Sequence, residues 1–327
     1  MTSTTASVVV ITFERPDYVV RCLNHLMAQT TTPHEVIVID SSVSDDTERR
    51  VTKEFPSVTY RKTSAGRGAM ATARNIGFEI ASGDVVAFVD DDAFAERNWL
   101  ARLLAPYDDP DVGAVGGRQI RGQPDELTDG VDDIGRFCAD GTLTGHFTAD
   151  PGHLVLVDHL LGANMSFRRS VLCEIGGIRD GYFGTCVREE TDLCLRVTAA
   201  GYRIVYTPDA VVDHLAAPYA KGRRFDLRYA YWAQKNHVIL LVRSFGPTKP
   251  VLRAFVVATG RHIVQDLTER ARLARSRLQD HDPAGASRSL SNGGVRAVVE
   301  TAGTMTGFVA GMRMARLDRR GIAITQR

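Results

Sequence analysis

Short apolar runs rich in β-branched residues alternate with longer segments of helical character over the first 120 residues of this 327-residue chain. Such runs are typical of strands, and the mixed apolar and polar segments between most of them are typical of helices. Strand–helix alternation favours a parallel sheet wrapped by helices, so the sequence predicts an α/β fold. The candidate strands are 7–12, 35–40, 57–61, 84–90 and 112–117.

The rest of the chain divides into three patterns. Residues 118–160 are rich in Gly and Asp and predict a loop or insertion. Regular structure is expected again from residue 160, with a helix at 189–201 and strands at 202–207 and 210–214. From about residue 222 the pattern is helical to the end, with a Gly/Ser-rich segment at 282–294 that predicts a break in the tail.

Charge divides the chain in the same way. The formal net charge is +1, but residues 1–220 contain 20 Lys and Arg against 32 Asp and Glu, whereas residues 221–327 contain 20 against 7. We therefore predict an acidic domain followed by a basic helical C-terminal extension, with different partners.

The helical extension has two interpretations. An apolar stripe with arginines on the other faces of the helix is typical of a subdomain that packs on its neighbour, and equally of a helix that lies on anionic lipid. The stripe consists of Leu252, Val256, Ile263, Leu267 and Leu278.

The cysteine spacing and the hydropathy of the sequence indicate the cellular compartment. The five cysteines form no C-x-x-C pair and no zinc-ligand spacing. The N-terminus has no basic region of the secretory type, and no apolar run reaches the roughly 18 residues that a membrane span needs. The expectation is a cytoplasmic protein with reduced thiols.

Polar residues follow several of the predicted strands. Thr12, Glu14 and Arg15 follow the first strand, Asp40 ends the second, and Asp90 begins an aspartate triplet after the fourth. In open parallel sheets, ligands bind at the carboxyl ends of the strands, near a switch in strand order. Acids that repeatedly end apolar strands therefore indicate a binding site at that edge, although solvated loops are also polar.

The aspartate triplet indicates a cation. Asp90 and Asp92, two residues apart, can converge on one point, and a cation between them relieves their repulsion. Mg²⁺ or Mn²⁺ fits, since such ions are held by carboxylates together with substrate phosphates. Asp91 is expected to point elsewhere and to cap the next turn.

A competing motif lies between the third predicted strand and the following helix. Gly66, Gly68 and Ala71 match the G-x-G-x-x-A fingerprint of dinucleotide-binding units, with an acid about 20 residues later. An NAD(P)-dependent oxidoreductase is thus an alternative. It is disfavoured because a complete strand–helix unit precedes the motif, Arg67 occupies the tight turn, and one ribose needs only one carboxylate.

A second acidic cluster and one histidine are further candidates. Glu189 and Glu190 begin a predicted helix, where acids either complement the helix dipole or provide a general base. Asp192 and Arg196 have the spacing of a structural ion pair. His214 ends a predicted strand, and the expectation for three other histidines, His153, His159 and His237, is a structural role.

Taken in order, these segments resemble the family 2 glycosyltransferases, which are nucleotide-sugar-dependent enzymes of the GT-A fold. The resemblance covers roughly residues 6–215 and rests on VVVITFERP, EVIVIDSSVSDDT, ARNIGFEIASGDVVAFVDDD, GANMSFRR and EETDLCLRVTAAGYRIVYTPDAVVDH. It implies a mixed, mainly parallel sheet flanked by helices. It also implies a catalytic domain at 1–220, with donor binding in 1–117 and the acceptor side in 118–220, before the extension at 221–327.

The resemblance also implies roles for individual residues. Glu190 would be the catalytic base of an inverting reaction, and Asp90, Asp92 and His214 would hold Mn²⁺ or Mg²⁺. The nucleotide sugar would contact Thr12, Glu14, Arg15, Asp40, Arg67, Asp90 and Asp91. The donor-sugar and acceptor site would include Gly162, Ala163, Asn164 and Glu189.

The same resemblance leaves the substrates open. A UDP-sugar is the expected donor, with dTDP- or GDP-sugars as alternatives, and the acceptor would be a glycan or a lipid-linked glycan, as in bacterial cell-wall or polysaccharide synthesis. No nucleic-acid partner is expected. A sugar nucleotidyltransferase, which would use the same carboxylate–metal chemistry, and a non-catalytic sugar-nucleotide binding module remain alternatives.

Overall fold

The computed structural model describes residues 4–66, 68–121, 128–215 and 226–320, and within them one mixed sheet forms the centre of the molecule. Six of its nine strands run in one direction, and β5, β7 and β8 run against them. The prediction of a mixed, mainly parallel sheet is confirmed. The strands are β1 (Ala6–Thr12), β2 (Glu35–Asp40), β3 (Thr59–Lys62), β4 (Val85–Asp90), β5 (Ala93–Ala95), β6 (Val112–Ile120), β7 (Val155–Leu156), β8 (Asn164–Arg168) and β9 (Arg203–His214).

The strand order fixes where a ligand can bind. It is β3-β2-β1-β4-β8-β6-β9-β5, with β7 paired to β9 outside this path. The chain leaves β1 toward β2 and β3, then returns to place β4 on the other side of β1. The carboxyl ends of β1 and β4 therefore border a topological switch point, the usual place for a ligand in such sheets.

Helices cover both faces of the sheet, which explains why the parallel strands are nearly continuous apolar runs. Val8 and Val10 of β1 face a core that includes Leu23 of α1 and Trp99 of α4. Val9 faces the opposite core, to which α3, α5 and α6 contribute. The helices are α1 (Pro16–Met27), α2 (Asp46–Glu54), α3 (Met70–Ile80), α4 (Trp99–Leu104), α5 (Arg169–Glu174), α6 (Glu189–Ala199), α7 (Leu227–Phe245), α8 (Pro250–Gln279) and α9 (Pro283–Arg319).

The predicted helical extension is present as α7, α8 and α9. α7 packs closely on the remainder of the chain, since Ile239 and Leu240 are buried against Tyr182 and Met314. The predicted apolar stripe of α8 packs only in part: Leu252 is buried, whereas Val256 and Leu278 are 46% and 55% exposed. None of the described helices combines the length and the apolar character that a bilayer span requires.

The tail is divided as predicted, but the break covers only residues 280–282, between α8 and α9, and not the whole of 282–294. The side chain of Asp282 caps α9 by accepting a hydrogen bond from the Gly285 amide at 2.8 Å. α9 then runs without interruption because its small residues permit close contact between helices. A Cβ at Gly293, for example, would lie 2.5 Å from Arg270 Cδ of α8.

Further along α9, Gly303, Gly307 and Gly311 form a stripe at four-residue spacing that lies directly against α7. A Cβ at Gly307 would lie 2.6 Å from the backbone oxygen of Lys235, and one at Gly303 would lie 2.8 Å from that of Tyr231. A backbone oxygen cannot rotate away as a side chain can, so this contact between α7 and α9 depends on glycine.

We predict that Gly307→Ala lowers the melting temperature of the protein. Alanine favours a helix by about 1 kcal/mol over glycine, but forcing an atom into this contact costs about 1–3 kcal/mol, so the clash prevails. Gly294→Ala is the control, because Gly294 is exposed on the same helix with no atom within 4 Å of a Cβ. It should raise the melting temperature, and an equal rise in both variants would contradict the packing described.

Candidate active site at the ends of β1, β4 and β9

Asp90, Asp92 and His214 form a cluster at the switch point. One ligand atom from each residue lies within 4.8 Å of the other two, and Asp92 Oδ1 is 3.3 Å from His214 Nε2. The antiparallel pairing of β5 with β9 brings them together, since Ala93 lies opposite His214 and the Leu215 amide donates to the Asp92 carbonyl at 3.1 Å. A three-residue strand missed by the sequence analysis thus positions the histidine.

The donor set of this cluster fits a divalent cation. Two carboxylates and one imidazole suit Mn²⁺, and the carboxylates alone suit Mg²⁺. The Asp90 side chain is 22% exposed, which leaves an open approach, and buried His214 Nδ1 has no hydrogen-bond partner among the described residues. The geometry therefore supports a possible metal-binding Asp-x-Asp motif.

Asp91 points into the protein. Its carboxylate accepts hydrogen bonds from Thr12 Oγ1 at 2.7 Å and from Arg15 Nη1 at 2.9 Å, and the same Arg15 nitrogen lies 3.4 Å from Asp92 Oδ2. Burial raises the pKa of the Asp91 carboxyl to about 7, against the opposing effect of Arg15. Asp91 points away from the other two aspartates, as expected, but its carboxylate binds Thr12 and Arg15 and caps no turn; it holds the loop after β1 to the end of β4.

The two other predicted acids shape the neighbouring loops. Asp40 is fully buried, and its two carboxylate oxygens accept hydrogen bonds from the Ser42 amide and the Tyr60 hydroxyl, both at 2.7 Å. Glu14, in a left-handed backbone conformation, accepts hydrogen bonds from the amides of Val43 and Ser44, which lower its pKa. These acids thereby fix the 42–44 loop, and Arg67 lies outside the described residues.

Arg74 connects the metal cluster to the start of α6. It is almost fully buried on the inner face of α3, donates to Asp90 Oδ1 at 3.0 Å and to the Gly162 carbonyl at 3.3 Å, and forms an ion pair with Glu189. Arg74 was not among the site residues expected from the sequence. The available signal was an arginine on the stripe of Ala71 and Gly77, which otherwise faces the core.

The segment 162–164 borders this site mainly through its backbone. Gly162 has no room for a side chain, since a Cβ would lie 2.7 Å from Arg74 Nη2. Asn164 is 1% exposed; its amide donates to the carbonyls of Arg118 and Ala210 and accepts from Trp99 Nε1 at 2.8 Å. Ala163 is buried as well. The Asn164 side chain thus joins β8 to β6 and β9 and is not presented to a ligand.

The two glutamates that begin α6 differ in their surroundings. Glu189 is paired with Arg74, although its second oxygen has no partner in the described part of the chain. Glu190 accepts a hydrogen bond from the Arg188 amide at 3.3 Å, and burial raises the pKa of its carboxyl, with Arg188 opposing this shift. The two carboxylates thus differ in that Glu189, and not Glu190, is ion-paired with Arg74.

Three of the residues expected to have structural roles are buried and bonded to other protein groups. Asp192 pairs with Arg196 at 3.0 Å on α6. His237 of α7 is buried between the Gly141 carbonyl and Arg188 Nε, and burial lowers its pKa to about 3. His159 is also buried and bonded to the Thr144 carbonyl, with its pKa lowered to about 4 by burial.

Comparison with known proteins identifies the family. The glycosyl transferase family 2 model matches residues 7–176, which is more than half of the chain. The chain belongs to glycosyl transferase family 2. The matched range includes the aspartate triplet and segment 162–164, and it ends before Glu190 and His214.

Curated relatives of this family 2 chain are glycosyltransferases. A glucosyl-dolichyl phosphate glucuronosyltransferase of Haloferax volcanii is 31% identical over 64% of this chain and 68% of its own length. The pre-mycofactocin glycosyltransferase of Mycobacterium tuberculosis is 32% identical over 44% of this chain and 29% of its own length. The O-antigen chain rhamnosyltransferase WbaN of Salmonella anatum is 29% identical over 57% of this chain and 58% of its own length. The protein is therefore a glycosyltransferase, and the oxidoreductase and nucleotidyltransferase alternatives are set aside.

Solved structures confirm the GT-A fold. GalNAc-T7 with UDP, GalNAc and Mn²⁺ has a TM-score of 0.59 at 18% identity, over 74% of this chain and 48% of its own. The mannosyltransferase PcManGT from Pyrobaculum calidifontis, in complex with GDP-Man and Mn²⁺, has a TM-score of 0.53 at 19% identity, over 97% of this chain and 88% of its own. At such identities the likeness establishes the fold alone.

We predict that Arg74→Met destabilises the protein by about 3 kcal/mol or more, because the Glu189 carboxylate would remain buried without its partner. Thermal and denaturant unfolding would measure the loss. The control is Arg49→Met, which removes an ion pair with Asp46 that is exposed on α2 and therefore worth little. Equal stability of the two variants would show that the buried pair does not hold the site together.

Proposed function

We propose that this family 2 enzyme transfers a sugar from a nucleoside-diphosphate sugar to an acceptor hydroxyl with inversion of configuration. In this proposal Asp90, Asp92 and His214 hold Mn²⁺ or Mg²⁺, and Glu190 is the general base. The observation that carries the proposal is the convergence of the three ligand atoms within 4.8 Å at the switch point. Arg74 joins this cluster to Glu189, the residue beside the base.

When bound, the cation would neutralise charge that builds up on the leaving diphosphate. The chain's own contribution is to hold its ligands in place. Arg15 binds both Asp91 and Asp92, and Arg74 binds Asp90, so the cluster forms on a fixed frame. We assign Thr12 and Asp91 to this frame, and Glu14 and Asp40 to the loop that would border the nucleoside.

Glu190 would accept the proton of the acceptor hydroxyl as that oxygen attacks the anomeric carbon. A raised pKa improves a carboxylate as a base near neutral pH. Glu189 is a poorer choice, since its carboxylate is already paired with Arg74. In this proposal the hydroxyl attacks from the face opposite the leaving group in a single displacement, with no covalent intermediate. Such a displacement inverts the configuration of the anomeric carbon.

The donor and acceptor are proposed from the relatives. GalNAc-T7 is named with UDP and PcManGT with GDP-Man, each together with Mn²⁺, which supports a nucleoside-diphosphate sugar as donor. We propose a UDP-sugar, with GDP- and dTDP-sugars as the donors to compare. Names such as glucosyl-dolichyl phosphate glucuronosyltransferase support a glycan or lipid-linked glycan as acceptor. Residues 1–117 would then bind the donor and 118–220 the acceptor.

Two variants should separate binding from chemistry. Asp92→Asn is expected to abolish stabilisation by a nucleotide sugar with Mn²⁺, because it removes one cation ligand. Glu190→Gln should retain that stabilisation and lose transfer by about 10²–10⁴-fold, the usual contribution of a general base. Thermal shift across a panel of UDP-, GDP- and dTDP-sugars, followed by assays of nucleotide release, would measure both.

Asp213→Asn is the matched control for Asp92→Asn, since Asp213 precedes His214 but is exposed and is not part of the cluster. It should behave as the wild type. Normal turnover by Glu190→Gln would exclude Glu190 as the base, and stabilisation that does not depend on metal would exclude the cation's role in donor binding.

We also propose that the helical extension contacts anionic lipid. Val257 and Val264 of α8 are 55% and 63% exposed, and Val298 and Met305 of α9 are 69% and 68% exposed. Exposed arginines of α8, among them Arg261, accompany these apolar residues. Apolar side chains combined with arginines match the requirements of a helix that lies in the membrane interface.

The lipid contact predicts that the full chain co-sediments with vesicles that contain phosphatidylglycerol, and that salt weakens the binding. Val257→Asp combined with Val264→Asp should reduce it strongly. Val43→Asp, at a residue that is 85% exposed and far along the chain from α8, is the control. If the full chain ignores anionic vesicles at low salt, the proposed membrane contact is wrong.

A further inference from the structure

A cavity of about 300 Å³ lies where the helical extension meets the start of α6. Helices α7, α8 and α9 form most of its wall, and Thr142, Leu143 and Arg188, the residue before α6, also line it. The volume is in the range of small-molecule sites. None of Asp90, Asp92 and His214 lines this cavity, so it is separate from the proposed metal site.

Arg188 is held in an unusual position. Its backbone is left-handed, with φ at 89°, which is uncommon for a residue other than glycine. Its Nε donates to His237 Nδ1 at 2.9 Å, and His237 Nε2 is fixed by the Gly141 carbonyl at 2.7 Å. The guanidinium is therefore oriented by a chain of hydrogen bonds that begins outside α6.

The terminal nitrogens of Arg188 have no protein partner in the described ranges. No carboxylate of those ranges lies within 4 Å of its guanidinium, and the nearby charge of Glu190 opposes but does not cancel the effect of burial, which lowers the pKa of Arg188. A partly buried cation without a counter-ion is costly. Its two free donor groups form the fork that binds phosphate or carboxylate oxygens.

The opposite part of the wall is also basic. Arg296 of α9 and His262 of α8 both line the cavity. Glu300, the one acid among the lining residues, is paired with Arg296 at 2.9 Å. The Arg296–Glu300 pair leaves the charge of Arg188 unbalanced by any acid of the lining, so the lining favours an anion over a neutral sugar.

We propose that this cavity binds a phosphate group of the acceptor, with Arg188 as its principal ligand. The assignment rests on the proposed function, because it places the acceptor's anion beside the base. Arg188 connects the cavity to the base, because its amide donates to Glu190 at 3.3 Å and its side chain lines the cavity. An acceptor held there by its phosphate would have its hydroxyl directed toward Glu190, and neutral glycans would bind more weakly.

Binding of methyl phosphate to the full chain, measured by saturation-transfer NMR in the presence of EDTA, tests the proposal. Arg188→Gln should raise the Kd about tenfold or more, the effect of losing a charge-assisted hydrogen bond. It keeps the backbone amide that bonds to Glu190. Arg296→Gln should also raise the Kd, and acetate should bind more weakly than methyl phosphate.

Arg270→Gln is the matched control, because Arg270 belongs to α8, is paired with Asp266 at 2.7 Å and does not line the cavity. It should bind methyl phosphate as the wild type does. An unchanged Kd in Arg188→Gln, tighter binding of acetate, or displacement of methyl phosphate by UDP with Mg²⁺ in a separate measurement without EDTA would each overturn the proposal. Metal-dependent donor stabilisation is measured separately in the wild type, so failure of the proposed function is distinguishable from failure of the acceptor site.

Discussion

The buried ion pairs of Arg74 are the interaction on which the arrangement of the active site depends. One guanidinium on α3 binds Asp90 at the end of β4, Glu189 at the start of α6 and the backbone before β8. Those elements are far apart in the sequence, and without Arg74 two carboxylates would face each other in a poorly hydrated space. Buried charges of this kind are tolerated only when they are paired. The pairing therefore fixes the distance between the proposed metal ligands and the proposed base.

The charges at this edge of the sheet also explain why a cation is expected there. Within the described ranges, the guanidinium groups of Arg15 and Arg74 connect the four acids Asp90, Asp91, Asp92 and Glu189. Burial has already raised the pKa of Asp91 to about 7, which is one way to relieve the excess of negative charge. A divalent cation between Asp90 and Asp92 is another, and it would also attract the diphosphate of a donor.

Features encoded in short stretches could be predicted from the sequence, and those created by packing could not. The strands β1, β2 and β4 and the acids that end them are local patterns, and the sheet confirmed them. Arg74 and Arg188 were missed because they act through partners that are distant in the sequence: Glu189 lies 115 residues from Arg74, and His237 lies 49 residues from Arg188. The break was expected to extend over 282–294 because glycine weakens an isolated helix, but Gly293 lies where α9 packs against Arg270 of α8, and the helix continues through this segment.

The helical extension is connected to the proposed base by hydrogen bonds. His237 of α7 binds Arg188, and Arg188 in turn donates its amide to Glu190, so α7 contributes to the position of the proposed base. The hydrogen bond between His237 and the Gly141 carbonyl extends this series of contacts into the irregular segment after β6. α9 packs through glycine on α7, and α7 carries His237, which binds Arg188. A change in the packing of α9 on α7 would therefore reach Arg188 through direct contacts. The helical extension and the start of α6 therefore meet at Arg188, whose side chain lines the cavity and whose amide binds the proposed base. Donor and acceptor would accordingly approach Glu190 from surfaces of opposite charge, the donor through a cation on the aspartates and the acceptor through the arginines.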